Sequence, residues 1–477
     1  MTRLSRRRPC PTFLLIAFAV PLCLSSCGDD SSGPGISATA SSSTSLGETS
    51  GMSSASATST SSGSGSGTGS STSTSSTSGE PSCEGPATFQ IRDLFALGES
   101  LEGLEIDACA GDRWYFVGAS ESTLEITLRG APNGVQALIA YPDRSPSEAA
   151  SEPLVQPFAS ADDTPATLSF AVPRSGEFVL DLTPEIAEEG AIYDLEIRCI
   201  DGCERETTRF PMLWVHGWTG FENIGPLTYF FGVRDHIEAL GFPISIAVLD
   251  PYNSSEVRGE ELALQIDDAL QDWRARKLDL IGHSQGGIDS RYAISSLGYG
   301  DRVSVLLTIA TPHRGTYIMD LALGLVPGGA EEALAFLLNL LGAVSADAQS
   351  DAKASFYSLS ETHMKGQFNP QNPDDPNVVY ISYTGRTCAA IDFLNPENMC
   401  NDYVDPLLLA GYNILKIAQG PSDGLVTIES AKWGDYRGEM IADHIDEVGQ
   451  IAGVTDPDFD HRAWYLARVR DLAAEGH

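Results

Sequence analysis

Three patterns of apolar and polar positions follow one another along the second part of the chain. Between Cys83 and Cys203, short runs alternate at period two: Arg113-Trp114-Tyr115-Phe116-Val117, Leu124-Glu125-Ile126-Thr127-Leu128 and Glu177-Phe178-Val179-Leu180-Asp181-Leu182. Alternation turns one side of a strand toward a core and the other toward water. With Gly, Pro and Asp supplying turns between the runs, the pattern predicts a small antiparallel β-sandwich. From Phe210 the pattern changes to continuous apolar runs at 212–215, 244–249, 278–282, 303–310 and 378–383, separated by amphipathic stretches at 260–276 and 287–296. Short runs that are apolar on both sides are strands covered on both faces, which predicts an α/β domain with a mostly parallel sheet flanked by helices.

The third pattern lies between His313 and Ser345. Ile318-Met319, the run at 321–326 and Ala333-Leu334-Ala335-Phe336-Leu337-Leu338-Asn339-Leu340-Leu341 are too apolar for an exposed loop and too interrupted to cross a bilayer. Two readings compete: a buried core helix, or a lid whose inner face meets lipid when it opens.

The first part of the chain has neither pattern. Arg3, Arg6, Arg7 and Arg8 precede an apolar run at 13–24, the arrangement of an export signal. Its end, Leu24-Ser25-Ser26-Cys27-Gly28, resembles a bacterial lipobox, so Cys27 is expected to be acylated and to hold the chain on a membrane of the bacterial envelope; ordinary signal cleavage nearby would instead leave the protein secreted. Residues 28–79 are almost entirely Ser, Thr, Gly and Ala, too poor in apolar surface to offset the cost of ordering, and form a tether. The expected organisation is therefore a leader at 1–27, a tether at 28–79, a β-sandwich at 80–204 and an α/β domain at 205–477 with the lid interval at about 317–350.

Charge and cysteines narrow the setting. The formal net charge of -36 opposes nucleic acid as a partner and suits the solvated surface of an exported protein. Beyond the leader, Cys83, Cys109, Cys199, Cys203, Cys388 and Cys400 form an even set in an oxidising compartment. Local pairing would join Cys83 with Cys109, Cys199 with Cys203 and Cys388 with Cys400.

The chemistry centres on Leu278-Asp279-Leu280-Ile281-Gly282-His283-Ser284-Gln285-Gly286-Gly287. A strand that breaks into a glycine-rich helix start is the G-x-S-x-G nucleophile elbow, in which Gly282 and Gly286 let strand and helix approach closely and Ser284 stands in the turn. A serine hydroxyl needs a general base, and the order in this fold class is serine, acid, histidine. His216 and His283 belong to the turns, and His236, His313 and His363 precede the best acid. His477 is terminal. Of His444 and His461, His444 in Asp443-His444-Ile445-Asp446-Glu447 is favoured because a polar loop keeps its imidazole accessible. Asp423 in Ser422-Asp423-Gly424-Leu425 is the candidate orienting acid. In His216-Gly217-Trp218-Thr219-Gly220, the backbone N–H of Trp218 is a candidate donor to an oxyanion.

Five motifs in order, Val215-His216-Gly217-Trp218-Thr219-Gly220, Ile281-Gly282-His283-Ser284-Gln285-Gly286-Gly287, Thr311-Pro312-His313-Arg314-Gly315, Ser422-Asp423-Gly424-Leu425-Val426 and His444-Ile445-Asp446-Glu447, resemble bacterial triacylglycerol lipases of the Pseudomonas and Burkholderia type. The resemblance covers about residues 210–454 and implies an α/β-hydrolase fold with a lid. It implies Ser284, Asp423 and His444 as the triad, with the N–H groups of Trp218 and Gln285 as oxyanion donors. It also implies a structural calcium ion, with Asp405 and Asp446 as carboxylate ligands and Gln450 and Val454 at the positions that supply backbone carbonyls, a hard-oxygen set. Where the family often has a disulfide cysteine, this chain has Glu429, leaving Cys388 and Cys400 to pair locally. The sandwich region, through Gly111-Asp112-Arg113-Trp114-Tyr115-Phe116 and Ala191-Ile192-Tyr193-Asp194-Leu195-Glu196-Ile197, looks like the pre-peptidase C-terminal family.

The expected activity is hydrolysis of carboxylic esters, foremost long-chain triacylglycerols at an interface, through an acyl-enzyme and with no organic cofactor. Expected partners are the lipid substrate, the membrane reached through Cys27 and, as a further candidate, a folding chaperone. A short-chain carboxylesterase or polyester depolymerase would use the same triad. A non-catalytic surface-binding lipoprotein would use none of it.

Overall fold

The structure is a computed structural model that describes residues 83, 87–131, 133–161, 164–218, 223–224, 227–342, 351–388, 403–456 and 458–477. The leader, the lipobox Cys27, the tether and Cys400 lie outside the described residues. No helix among the described residues is long and apolar enough to cross a membrane.

The alternating region forms two facing sheets. One contains β1 (Thr88–Phe95), β3 (Ala110–Gly118), β8 (Gly176–Pro184), β5 (Val135–Ala140) and β6 (Phe158–Ser160) in that spatial order. The other contains β2 (Ser100–Ile106), β9 (Ala191–Asp201), β4 (Thr123–Ala131) and β7 (Ala166–Ala171). Period two works as expected: Leu124, Ile126 and Leu128 of β4 and Tyr193, Leu195 and Ile197 of β9 turn into one core. Phe116, Phe170 and Phe178 fill its centre, with Phe178 stacked on Phe116 at 5.6 Å and edge-on to Phe170 at 5.4 Å. One pairing departs from an all-antiparallel sandwich, because β1 runs parallel to β3. Disulfides join Cys83 to Cys109 and Cys199 to Cys203, in agreement with local pairing. Cys388 is also disulfide-bonded.

The second region is a parallel sheet of six strands in the order β13 (Ile244–Ala247), β10 (Met212–Val215), β14 (Leu278–His283), β15 (Val303–Ile309), β16 (Val379–Gly385) and β17 (Asp435–Met440). Two short strands, β11 (Asn223–Ile224) and β12 (Leu227–Thr228), form a separate hairpin. The first five strands match the apolar runs. The sixth matches none of them: Asp435-Tyr436-Arg437-Gly438-Glu439-Met440 is a polar edge strand with only Met440 buried.

A short helix, α1 (Pro146–Ser151), belongs to the sandwich, and α2 (Val233–Glu238) and α3 (Ser255–Asp272) follow in the α/β region. The helix after the elbow is α4 (Gln285–Ser295). Leu262 and Ile266 of α3 and Ala293 and Ile294 of α4 cover one face of the sheet. Val233 and Ile237 of α2 cover the other, beside Tyr465, Val469 and Leu472 of the terminal helix 461–475. A third core sits over the carboxyl ends of the strands. There α5 (Tyr317–Ala322), α6 (Ala330–Gly342) and α7 (Ala352–Ser358) contribute Ile318, Met319, Ala333, Phe336, Leu337 and Phe356, packed with Trp218.

The sandwich meets the sheet at the opposite, amino edge. Glu177 of β8 is 2% exposed and accepts hydrogen bonds from Arg209, just before β10, at 2.6 Å and from Arg276, just before β14, at 2.7 Å. The Arg276 guanidinium also lies over the ring of Tyr115 at 4.7 Å. Arg274 pairs with Asp143 at 2.7 Å, and Ser175 donates to the Gly241 carbonyl. These contacts leave the carboxyl edge clear.

Candidate active site

The elbow forms as the glycine pattern requires. Ser284 follows β14 and precedes α4 with φ of 55° and ψ of -128°, a backbone conformation that non-glycine residues rarely hold. Strand and helix pack too closely for side chains. A Cβ on Gly282 would lie 2.7 Å from the Cα of Gly287, and one on Gly286 would lie 2.4 Å from the Val215 carbonyl. Gly217, in the loop after β10, lies against Ser284: a Cβ there would approach the Ser284 Cβ to 2.6 Å.

Ser284, Asp423 and His444 come together although 160 residues separate the first from the last. His444 Nε2 is 2.9 Å from Ser284 Oγ, and its Nδ1 is 2.8 Å from Asp423 Oδ2. A carboxylate accepts, so this bond places a proton on Nδ1 and leaves the Nε2 lone pair facing the serine hydroxyl. Asp423 is fully buried, and its other oxygen accepts the backbone N–H groups of Leu425 at 2.8 Å and Val426 at 2.6 Å. The same turn accepts the His444 N–H on the Asp423 carbonyl at 3.0 Å, tying base and acid by backbone as well as side chain. Ser284 is 4% exposed and His444 8%, so the site stands covered.

The other histidines have separate tasks. His461 bonds the Phe231 carbonyl at 2.8 Å, His313 bonds Thr308 at 3.0 Å, and His216 accepts the Leu249 N–H at 3.1 Å. His283 is more than a turn residue. Its Nε2 is 2.8 Å from Glu447 Oε2, its Nδ1 is 2.7 Å from the Tyr229 hydroxyl, and its ring lies 4.7 Å from that of His444. Burial, with the charge that His444 can carry, holds His283 well below the usual imidazole range. Glu447 Oε2 is also 3.7 Å from His444 Nδ1, so a second buried carboxylate stands beside that imidazole. Glu447 belongs to the His444-Ile445-Asp446-Glu447 motif, yet only its fold partners reveal this position.

Trp218 is buried in the loop after β10, next to the Gly217 that packs on Ser284, and Gln285 follows Ser284 as the first residue of α4. The Gln285 side chain is fixed by bonds from Nε2 to the Asn253 carbonyl at 2.9 Å and from Ser355 Oγ to Oε1 at 3.3 Å. The indole of Trp218 packs at 5.6 Å from Phe356 of α7, and Ser355 of the same helix bonds Gln285 next to the elbow.

Asp405 and Asp446 stand on two loops that Asp443 ties together. The buried Asp443 carboxylate accepts the N–H of Asp405 at 2.7 Å and those of Ile445 and Asp446 at 2.9 Å. Asp405 Oδ1 accepts from Leu407 at 2.7 Å, and Asp446 Oδ2 accepts from Asp456 at 3.0 Å. Gln450 closes the same turn through its N–H to the Ile445 carbonyl at 3.1 Å, while Val454 is largely exposed. Two half-buried carboxylates are oxygen donors of the type a hard cation takes.

No family model matches the chain. It is 30% identical over 278 residues to a triacylglycerol lipase of Vibrio cholerae, a match covering 52% of this chain and 84% of that one. Among solved structures, the mature form of a Bacillus licheniformis lipase aligns with a TM-score of 0.41 at 22% identity over 55% of this chain and 91% of that one. The pre-peptidase C-terminal domain of a Bacillus anthracis collagenase aligns with 24% of this chain and 99% of its own at 13% identity and a TM-score of 0.18.

Proposed function

The chain belongs to the triacylglycerol lipase family, and from that premise we propose that it hydrolyses long-chain acylglycerol esters through an acyl-enzyme on Ser284. The carrying observation is His444 within hydrogen-bond reach of Ser284 on one side, at 2.9 Å, and Asp423 on the other, at 2.8 Å. In this reading Ser284 Oγ attacks the ester carbonyl carbon as His444 Nε2 takes its proton. Asp423, still ionised, steadies the imidazolium. The N–H groups of Trp218 and Gln285 hold the negative oxygen of the tetrahedral intermediate. The C–O bond to the alcohol then breaks, with His444 returning the proton to the leaving oxygen. Water, deprotonated by the same imidazole, releases the fatty acid and restores Ser284.

A long acyl chain is favoured by the apolar core that roofs the site, with Ile318, Phe336, Leu337 and Phe356 packed around Trp218. Leu334 and Leu338 on the outer side of α6 are 40% and 54% exposed, so this helix has apolar groups on both sides. A lid of this kind loses little by opening onto oil, because lipid replaces the protein surface it leaves. The test compares emulsified long-chain triacylglycerol with a soluble short-chain ester. Full-length protein should prefer the emulsion and react with a fluorophosphonate, and Ser284→Ala should lose both while remaining folded. Preference for the soluble ester would make the protein a carboxylesterase instead.

Calcium is part of the same proposal. Asp405 and Asp446 would hold it with the Gln450 and Val454 carbonyls, and its charge would brace the loop carrying His444. Chelation should lower the melting temperature of the native chain, and Asp446→Ala should remove that sensitivity; insensitivity of the native chain would reject the ion. Acylation at Cys27 would keep the enzyme on the cell envelope, which mass spectrometry of the amino-terminal peptide tests directly.

A further inference from the structure

We infer that Arg258 is a positioning residue for the oxyanion hole, fixing the peptide between Gly217 and Trp218 so that the Trp218 N–H faces the carbonyl attacked by Ser284. This rests on the oxyanion assignment proposed above and adds the group that sets its orientation.

Arg258 lies on α3 and is fully buried together with Asp289 of α4, to which its Nε donates at 2.7 Å. Its remaining donors all go to backbone carbonyls of the carboxyl-edge loops. One Nη donates to Asp250. The other donates to His216 at 2.7 Å and lies 3.4 Å from the Gly217 carbonyl. The Gly217 carbonyl also accepts from His216 Nδ1 at 3.0 Å, and burial beside Arg258 pushes the His216 imidazole down to about 3, so it stays neutral.

Peptide geometry converts this grip into direction. In a trans peptide the C=O and the following N–H lie in one plane and point opposite ways. The Gly217 carbonyl and the Trp218 N–H belong to one such unit. Drawing the carbonyl toward Arg258 and His216 turns the N–H away from them, and Gly217 sits against Ser284. The grip therefore decides whether the loop presents a donor or an acceptor to a developing oxyanion.

Stability alone does not call for an arginine here. A buried ion pair is commonly replaceable by apolar side chains of similar volume at no loss of stability. Such a replacement supplies no donors to the carbonyls of His216, Gly217 and Asp250. Lysine keeps the charge but lacks the planar fork that reaches several acceptors at once.

The test uses the full chain with a soluble ester and a boronic acid inhibitor, whose tetrahedral adduct places an oxygen in the oxyanion hole. Arg258→Lys should lower kcat by about 100-fold, the size seen when one oxyanion donor is lost, with KM within about two-fold and boronate affinity falling alongside kcat. Asp289→Asn is the stability comparator. It keeps the guanidinium on the carbonyls, so melting should drop while kcat stays within about three-fold. Unchanged kcat and boronate affinity in Arg258→Lys would overturn the inference, as would equal losses of kcat and melting temperature in both variants. Should the lysine protein not fold, Arg258→Met with Asp289→Leu removes both buried charges, and wild-type kcat in that pair would overturn it equally. Failure of the unmodified chain to turn over ester or react with a fluorophosphonate would sink the Ser284 reading itself. Wild-type turnover with an indifferent Arg258 would sink only this one.

Discussion

At the amino edge of the large sheet the Glu177 carboxylate is held by Arg209 and Arg276, whereas at the carboxyl edge the Asp423 carboxylate is held by two backbone N–H groups and one imidazole. Both carboxylates are buried, yet their partners differ in kind. Two cations neutralise Glu177 and leave nothing to donate or receive a proton, which suits a permanent joint between sandwich and sheet. Neutral N–H groups satisfy Asp423 without cancelling its charge, which is what the proposed mechanism asks of a carboxylate beside His444. One sheet thus carries a charge-cancelled joint at one end and an uncancelled carboxylate at the other.

Exchanging a single atom at the reactive end is the strongest way to break this contrast. Asp423→Asn keeps the shape but removes the charge and favours the wrong imidazole tautomer. The expected loss in kcat is about 10⁴-fold with little change in melting temperature, read from steady-state kinetics beside a thermal scan. A loss under ten-fold would mean that another group, Glu447 being the nearest, carries the charge.

At the fixed end the expected effect is on stability. Glu177→Ala leaves two partly buried arginines without their carboxylate and should cost about 2 kcal/mol in denaturant unfolding, below the range for fully buried pairs because Arg276 remains 31% exposed. kcat should hold. A fall in kcat at unchanged stability would show that the sandwich joint reaches the active site and that the two edges are not independent.

The smallest effect separates the edges by the sign of their pH dependence. Asp279, buried in β14 near Arg209, is raised well above the usual carboxylate range by burial. A raised folded value makes its contribution fully present below the unfolded carboxylate range and lost as pH rises toward the folded value. His283 at the other edge is lowered by burial, so its contribution is present above the unfolded value of 6.5 and lost as pH falls below it. Asp279→Asn should therefore flatten the fall in stability as pH rises above the ordinary carboxylate range and leave the profile below that range alone, as urea unfolding across pH will register. An unchanged slope above that range would reject the buried neutral carboxyl.

Much of this architecture is legible in the order of residues alone, for reasons that differ by position. The apolar runs at 212–215 and 303–310 and the elbow glycines are local signals, because burial on both faces and close strand-to-helix approach each demand particular side chains at neighbouring positions. The even cysteine count is legible too, but the joining of Cys83 to Cys109 and of Cys199 to Cys203 is settled by the fold, since counting alone leaves the connectivity open. β17 is not legible, since an edge strand needs little apolar surface and its sequence is that of a polar loop. Hydrophobic periodicity also places the start of α3 several residues late. Its first turn is polar and is set by the Ser254 side chain capping the Val257 N–H.

What the sequence by itself determined was most of the elements and the chemical types at their ends: a serine in a Gly-rich turn, an acid in an Asp-Gly turn, a histidine in a polar loop. Which groups meet was decided by tertiary structure. Arg258, Glu447 and Tyr229 have no local mark, because the spacing of a helix arginine or a loop glutamate says nothing of the carbonyls and imidazoles it will face. A side-chain pattern records whether a position is buried, which is a property of one residue against solvent. A hydrogen bond between residues far apart in the chain depends on the packing of every element between them, and that is settled only when the whole sheet has closed around it.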